Sequence, residues 1–133
     1  MKHLKSFEIL SGDEMTIKDI LNISSDEGYE SRIERVPRRT EHNNIIWSNV
    51  IWLFDPIGDD REKALEVFKD VINRLQHTIA IEKYSLLAQH IRDQSNRDRD
   101  FPYIIVGGAF IGLDELIERM RDTSSQGVRL YFN

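Results

Sequence analysis

The only concentration of basic side chains in the sequence lies at residues 32–39. It consists of four arginines, Arg32, Arg35, Arg38 and Arg39. Guanidinium groups bind phosphates and carboxylates, so this segment could contact a nucleic-acid backbone, with Tyr29 and Trp47 close in the sequence, or pair with acidic groups. Three glutamates at positions 30, 34 and 41 dilute the charge. We therefore favour a solvated or partner-pairing arm over a nucleic-acid site.

An acidic pair, Asp59 and Asp60, precedes a helix that the sequence predicts to begin near Arg61. One interpretation makes the pair an acidic recognition point. The other makes it an ordinary helix cap, because a carboxylate beside the first N–H groups of a helix contributes about 0.3–1 kcal/mol. We favour capping, and a recognition role stays open beside it.

The sequence contains no set of side chains with a recognised catalytic or metal-binding spacing. Cysteine is absent, which excludes disulfides, cysteine-ligated metals and a thiol nucleophile. The four histidines stand at none of the usual ligand spacings. Neither the G-x-S-x-G elbow of hydrolases nor the phosphate-binding G-x-x-x-x-G-K-[ST] loop occurs. We accordingly expect no catalytic residue, no metal, no cofactor and no enzymatic activity.

Composition indicates one ordinary globular domain. The chain has 133 residues, of which 40% are apolar, and a formal net charge of −5 that argues against general polyanion binding. No apolar stretch is long enough to cross a bilayer, and the first six residues are too polar to open a secretory signal. We expect a cytoplasmic, soluble protein.

The elements that must position these side chains fall into two parts. Residues 1–44 are interpreted as an N-terminal extension, with a short helix at 15–23 and an edge strand, an ordered arm or a mobile segment at 31–40. Residues 45–133 are interpreted as the main domain. Its clearest element is the continuous apolar run at 50–54, which is typical of a strand buried on both faces.

Further elements follow from apolar spacing. The pattern predicts a long helix after residue 61, a strand at 78–84, a helix at 85–94 and strands at 103–106 and 109–111 joined by a turn at Gly107–Gly108. A helix at 114–121 follows, and residues 128–133 form a final strand or a docking segment. The order from residue 50 is β-α-β-α-β-β-α. It predicts an α/β domain with a mixed four-stranded sheet and a parallel crossover between its first two strands.

This order, together with the segment FPYIIVGGAFIGLDEL at 101–116, resembles the thioredoxin fold and, within it, the glutaredoxins. Glutaredoxins carry a proline that opens the third strand, a Gly-Gly pair, an Ile-Gly-Gly step and an acidic residue at the start of the last helix. The resemblance covers residues 50–122. It implies a cis peptide bond at Pro102 and a partner-binding face beside it.

The sequence departs from the glutaredoxin pattern at three places. Residues 58–61 stand where the Cys-x-x-Cys loop belongs, and without a thiolate the redox activity of that family cannot operate. The Ile-Gly-Gly step lacks one glycine, since Leu113 follows Gly112. Phe101 precedes the proline, where the ring either blocks the glutathione groove or fills the vacated site, and we favour the second.

These observations lead to a non-catalytic, glutaredoxin-like module that binds another protein as adaptor, regulator or inhibitor. Its inherited face, as implied by the resemblance, consists of Pro56, Gly58, Asp59, Asp60, Arg61, Phe101, Pro102, Gly112, Leu113 and Asp114. A domain that binds glutathione or another small ligand through Gly112 and Asp114 is the alternative. A nucleic-acid-associated regulator that uses the arginine arm is the weaker alternative. We expect a protein partner rather than glutathione or nucleic acid, and no membrane.

Overall fold

The computed structural model describes residues 15–88 and 103–132. Within these ranges the chain forms three helices and five strands, which confirms the predicted α/β class. The helices are α1 (residues 15–26), α2 (Arg61–Leu75) and α3 (Leu113–Thr123). The strands are β1 (Glu30–Arg39), β2 (Ile45–Phe54), β3 (Ile81–Ala88), β4 (Tyr103–Ala109) and β5 (Gly127–Phe132). Among these residues no helix is long and apolar enough to span a bilayer.

The five strands form one sheet in the order β1-β2-β5-β3-β4. Every neighbouring pair is antiparallel. The last of the described strands is therefore the central one, because β5 inserts between β2 and β3. Its apolar side chains at positions 128, 130 and 132 alternate with polar ones, so one face of β5 is buried and the other carries Arg129 and Tyr131.

All three helices pack against one face of this sheet and enclose the core. The largest fully buried side chains of the core include Phe68 of α2, Met120 of α3, Ile17 of α1 and Ile51 of β2. The helix α2 is held at its start by Asp60, whose carboxylate accepts the backbone N–H of Lys63 at 3.1 Å. This contact confirms the capping interpretation of Asp60.

The predicted order β-α-β-α-β-β-α is wrong, and so are the mixed sheet and the parallel crossover. The strands β2 and β3 do run in the same direction, but β5 lies between them and pairs antiparallel with both. The error has a physical origin, since the apolar alternation of β5 shows that it is half buried but not which strands it joins. A thioredoxin-like topology is not confirmed.

Two local predictions are also wrong. The helix predicted at 85–94 is strand as far as Ala88, and its remainder lies outside the described residues. Leu86 and Leu87, which fall within the predicted helix, are buried on opposite faces of β3. Gly107 and Gly108 do not make a hairpin turn, because they lie inside β4 and pair with Ser85 and Tyr84. Residues 109–111 lead to α3 and form no returning strand after Ala109.

The segment at 31–40 is an ordered edge strand, which is one of the three possibilities that the sequence left open. β1 pairs with β2 along its whole length, from Glu30 opposite Phe54 to Arg39 opposite Ile45. The boundary placed at residue 44 falls in the turn between these strands. The predicted cis bond at Pro102 lies outside the described residues.

Candidate functional site

The face of the sheet opposite the three helices carries a cross-strand row of polar and aromatic side chains. We call it the outer face. The strand registers align Arg32 of β1, Trp52 of β2, Arg129 of β5, Ser85 of β3 and Gly107 of β4 in one row. Side chains at directly opposed positions of neighbouring strands lie close enough to interact, so this row is one continuous surface.

Two arginines flank the indole of Trp52 in this row. The guanidinium carbon of Arg32 lies 4.6 Å from the ring centroid, and that of Arg129 lies 4.7 Å from it. The indole Nε1–H donates a hydrogen bond of 2.7 Å to the carboxylate of Glu34. Each cation–π contact of this kind contributes about 0.5–2 kcal/mol. The indole is thus held in one orientation by three charged neighbours.

Arg129 has an unusual environment for a charged side chain. Its guanidinium lies against two aromatic rings, Trp52 and, at 5.2 Å, Tyr131. Its Nε–H is buried and has no hydrogen-bond acceptor in the part of the chain that the structure describes. Buried donors are nearly always satisfied, so a guanidinium that contacts ring faces and whose Nε–H has no acceptor among the described residues retains the capacity to bind an anionic group.

A pocket of about 300 Å³ adjoins this row. It is lined by Ser48, Glu82, Lys83, Tyr84, Ser85, Gly107, Gly108, Tyr131 and Phe132. The hydroxyls of Ser85 and Tyr131 lie 3.3 Å apart and form a hydrogen bond across the strands. Gly107 is required here, because a side-chain carbon at that position would meet the Tyr84 carbonyl oxygen at 2.9 Å and the Ser85 hydroxyl at 3.1 Å.

The β1–β2 hairpin extends past the rest of the sheet. We call residues 35–48 the hairpin overhang, since the described part of β5 pairs with β2 from Asn49 onward. Large apolar side chains are exposed on it, with 59% of Ile45, 38% of Ile46 and 56% of Trp47 accessible to solvent. The guanidinium of Arg35 lies 5.7 Å from the Trp47 ring centroid. Exposed apolar groups beside arginine are typical of contact surfaces.

The four arginines predicted as one arm are separated by the pleat of β1. Arg32 lies on the outer face, whereas Arg35 and Arg39 occupy positions of the opposite side. Arg38 lies in β1 opposite Ile46. Only Arg32 therefore joins the row around Trp52, and Arg35 and Arg39 belong to the hairpin overhang.

The inherited face predicted from the resemblance is divided between the two ends of α3. Pro56, Gly58, Asp59, Asp60 and Arg61 lie in or directly after the loop from β2 to α2. The guanidinium of Arg61 donates to the carbonyl oxygens of Ser125, at 2.9 Å, and Met120, at 3.2 Å. This part of the face therefore adjoins the carboxyl end of α3.

The remaining described residues of that face lie at the opposite end of α3. Gly112 precedes α3, Leu113 begins it and packs against the core, and Asp114 lies 3.7 Å from Lys69 in an exposed ion pair. A helix of this length separates its ends by about 16 Å. The structure thus does not bring the two parts together, and Phe101 and Pro102 lie outside the described residues.

Hydrogen bonds inside the β2–α2 loop are structural. Asp55 is buried, and its carboxylate accepts the backbone N–H groups of Ile57, at 3.1 Å, and Gly58, at 3.0 Å.

Two groups near this loop have shifted pKa values. Burial and then the Asp55 carboxylate raise the pKa of Tyr29 above its ordinary value of 10.0. The hydrogen bond that Lys63 donates to the Glu27 carboxylate raises the pKa of Lys63. Within residues 15–88 and 103–132 no three His, Asp or Glu side chains are grouped as metal ligands.

Sequence analysis missed Trp52, Arg129 and Tyr131 as members of a surface. The apolar run at 50–54 predicts strand packing for Trp52, and the sequence predicts a final strand or a docking segment at 128–133. The available signal was the alternation itself. Trp52 stands between the buried Ile51 and Leu53, and Arg129 between two buried residues, so both belong to the other face of their strands.

Comparison with known proteins adds no relative. The chain matches no protein family model, no curated protein and no solved structure. None of these comparisons identifies a thioredoxin-fold superfamily. The outer face, its pocket and the hairpin overhang are therefore the features on which a function can be argued.

Proposed function

We propose that this protein is a non-catalytic module that binds an acidic surface of another protein through the outer face of its sheet. The observation that carries the proposal is the pair of arginines, Arg32 and Arg129, stacked on Trp52 without a carboxylate partner for either guanidinium in the described part of the chain. An adaptor, a regulator and an inhibitor all act by such binding.

The composition of this surface supports a protein partner. Tryptophan, tyrosine and arginine are the residue types that dominate binding energy at protein interfaces. Here Arg129 contacts the rings of both Trp52 and Tyr131, so three such side chains form one cluster. The orientation of the indole is fixed in advance by Glu34, which lowers the entropy lost on binding.

The charge of the outer face supports an acidic partner. Arg32 and Arg129 stand in one row in a chain whose net charge is −5, so the row is a local exception. The π faces of Trp52 and Tyr131 do not neutralise a cation as a carboxylate does. A carboxylate from the partner would supply the charge-assisted hydrogen bonds that these guanidiniums lack.

Binding through the outer face does not require that the protein be related to the glutaredoxins. We take from that resemblance the idea of a binding module, and from the sequence the absence of a thiol, but we place the binding surface elsewhere. The inherited face contributes Arg61 and Asp60 to hydrogen bonds that hold α2 and α3 in place.

Nucleic acid is the second candidate, since arginine and aromatic side chains also bind phosphates and bases. The acidic net charge weighs against it. Treating the cell lysate with nuclease before capture separates the two candidates. A partner that persists after nuclease is a protein contact, whereas a partner lost with the nucleic acid supports the second candidate.

The test is affinity capture from the cells that make the protein, with charge-reversal variants compared by quantitative mass spectrometry. Arg32→Glu reverses one charge of the row, and Arg74→Glu makes the same change on the exposed side of α2. We expect a protein captured by the wild type and by Arg74→Glu but lost from Arg32→Glu, with all three showing the same circular dichroism. Equal capture by all three, or no captured protein, would refute the proposal.

A further inference from the structure

Among the residues that the structure describes, one edge of β2 has no paired strand in the hairpin overhang. Phe132, the last described residue of β5, pairs with Asn49, so β5 accompanies β2 no further in the described residues. Residues 45–48 of β2 pair with β1 on one side. On their other side, alternate residues present main-chain N–H and C=O groups. Such an edge is the template on which an extended peptide is added as a further strand.

The pocket on the sheet lies next to this open edge. Ser48, the last residue of the open edge, and Phe132, the end of β5, both belong to the pocket wall. A peptide that continues the line of β5 along residues 45–48 would therefore pass the pocket. In strand addition, main-chain hydrogen bonds supply affinity and pockets for alternate side chains supply specificity.

The groups around the edge and the pocket indicate what such a peptide carries. The hairpin overhang contains three arginines and one glutamate. The pocket wall adds Lys83 and the hydroxyls of Ser48, Ser85 and Tyr131, against the single carboxylate of Glu82. Hydroxyls and an ammonium group donate hydrogen bonds to a carboxylate. Exposed Ile45 and Trp47 offer contact to apolar side chains.

We propose that an extended acidic segment of the partner adds as a strand along residues 45–48 of β2 and places a carboxylate side chain in the adjoining pocket. This inference rests on the proposed function and names the mode and chemistry of binding. The outer-face row lies further along the same strands, with Trp52 four residues beyond Ser48, and β2 is paired with β5 there, so the added strand stops beside Phe132.

Other occupants fit the open edge less well. A nucleic acid has no alternating amide N–H and C=O groups with which to continue a sheet. A second copy that pairs with the same edge would bring residues 45–48 of its own β2, a segment that contains no carboxylate for the pocket. An extended acidic peptide can continue the hydrogen-bond ladder of the sheet and also complement the positive charge beside it.

The test uses the full-length, isotope-labelled protein and two synthetic peptides with blocked ends. The probe alternates glutamate and valine over eight residues, and the control alternates lysine and valine. We expect the glutamate peptide to slow amide hydrogen exchange at residues 45–48 and to shift their resonances, and the lysine peptide to do neither. No effect at residues 45–48, or the same effect from both peptides, would overturn the proposal.

Two further comparisons separate strand addition from general electrostatic attraction. Lys83→Glu should weaken binding of the glutamate peptide about tenfold, since it replaces attraction by repulsion at the pocket, whereas Arg74→Glu should leave it within about twofold. N-methylation of alternate peptide residues should abolish protection of residues 45–48. Retained protection with the methylated peptide, or equal loss in both variants, would contradict the inference.

Failure of this inference is distinguishable from failure of the proposed function. If Arg32→Glu loses its captured protein while the glutamate peptide leaves residues 45–48 unprotected, the outer face binds but strand addition is wrong. If no protein is captured, the proposed function itself fails.

Discussion

Replacing Arg61 by alanine should lower the stability of the fold and leave partner binding intact. Arg61 was a member of the binding face implied by sequence resemblance. In the structure its guanidinium donates one hydrogen bond to the carbonyl oxygen of Ser125 and one to that of Met120. These two contacts fasten the start of α2 to the residues that end α3.

The magnitude follows from those two hydrogen bonds. A hydrogen bond to a charged group contributes about 1.5–3 kcal/mol when it is protected from water. Arg61 is half-buried, and the Met120 carbonyl also accepts the N–H of Ser125 at 3.0 Å, so part of each contribution is recovered in the variant. We expect Arg61→Ala to reduce the free energy of unfolding by about 2–3 kcal/mol.

Urea unfolding followed by circular dichroism measures this loss. Arg74→Ala is the matched control, because its exposed ion pair with Asp70 is worth less than about 1 kcal/mol. A loss below about 0.5 kcal/mol in Arg61→Ala would refute the structural role assigned to Arg61. A stable Arg61→Ala that loses the captured partner would restore the inherited face as the binding site.

Three further changes have defined outcomes. Gly127→Ala should lower the free energy of unfolding by about 1–3 kcal/mol, because the added carbon would collide with the backbone of Leu53. An unchanged midpoint of urea unfolding would contradict the register of β2 and β5. Trp52→Phe should lower the free energy of unfolding by about 1–2 kcal/mol, because the hydrogen bond to Glu34 is lost and the arginine stacking is weaker. An unchanged free energy of unfolding would show that these contacts do not stabilise the row. Because the pKa of Tyr29 is raised in the folded state, the neutral phenol stabilises the fold fully below about pH 10 and progressively less as the pH rises further. The free energy of unfolding of Tyr29→Phe should therefore fall less steeply with rising alkaline pH than that of the wild type. Identical pH dependence in the two proteins would contradict this.

The elements that sequence predicted correctly are those with a local physical signature. The apolar run at 50–54 lies in β2, and α2 begins after its predicted cap at Asp60. The helix predicted at 114–121 is α3, extended by a residue or two at each end. Periodicity and capping act within one element, so they can be read without knowledge of the neighbours.

The wrong predictions concern features that depend on residues far apart in the sequence. Gly107 and Gly108 look like a turn, but Gly107 is needed because the backbone and hydroxyl of β3 approach it closely. The insertion of β5 between β2 and β3 depends on pairing across most of the chain. The alternation of a half-buried strand does not show which strands pair with it, which is why the predicted strand order is wrong.

The candidate site was only partly visible for the same reason. The sequence groups Arg32 with three neighbouring arginines, but Trp52 lies on a second strand and Arg129, which contacts the same indole, on a third. Antiparallel registers bring these side chains into one row. Strand alternation predicts which residues face outward, and only the strand order shows which of them meet.

Photo-crosslinking in the cells that make the protein tests the central claim most directly. A photoreactive phenylalanine analogue is placed at Glu30, which is exposed in β1 and lies two residues before Arg32 on the outer face, and, as the control, at Asp59 in the β2–α2 loop. We predict a covalent adduct with a partner protein from position 30 and none from position 59. An adduct from position 59 alone, or no adduct from either position, would contradict the assignment of the outer face as the binding surface.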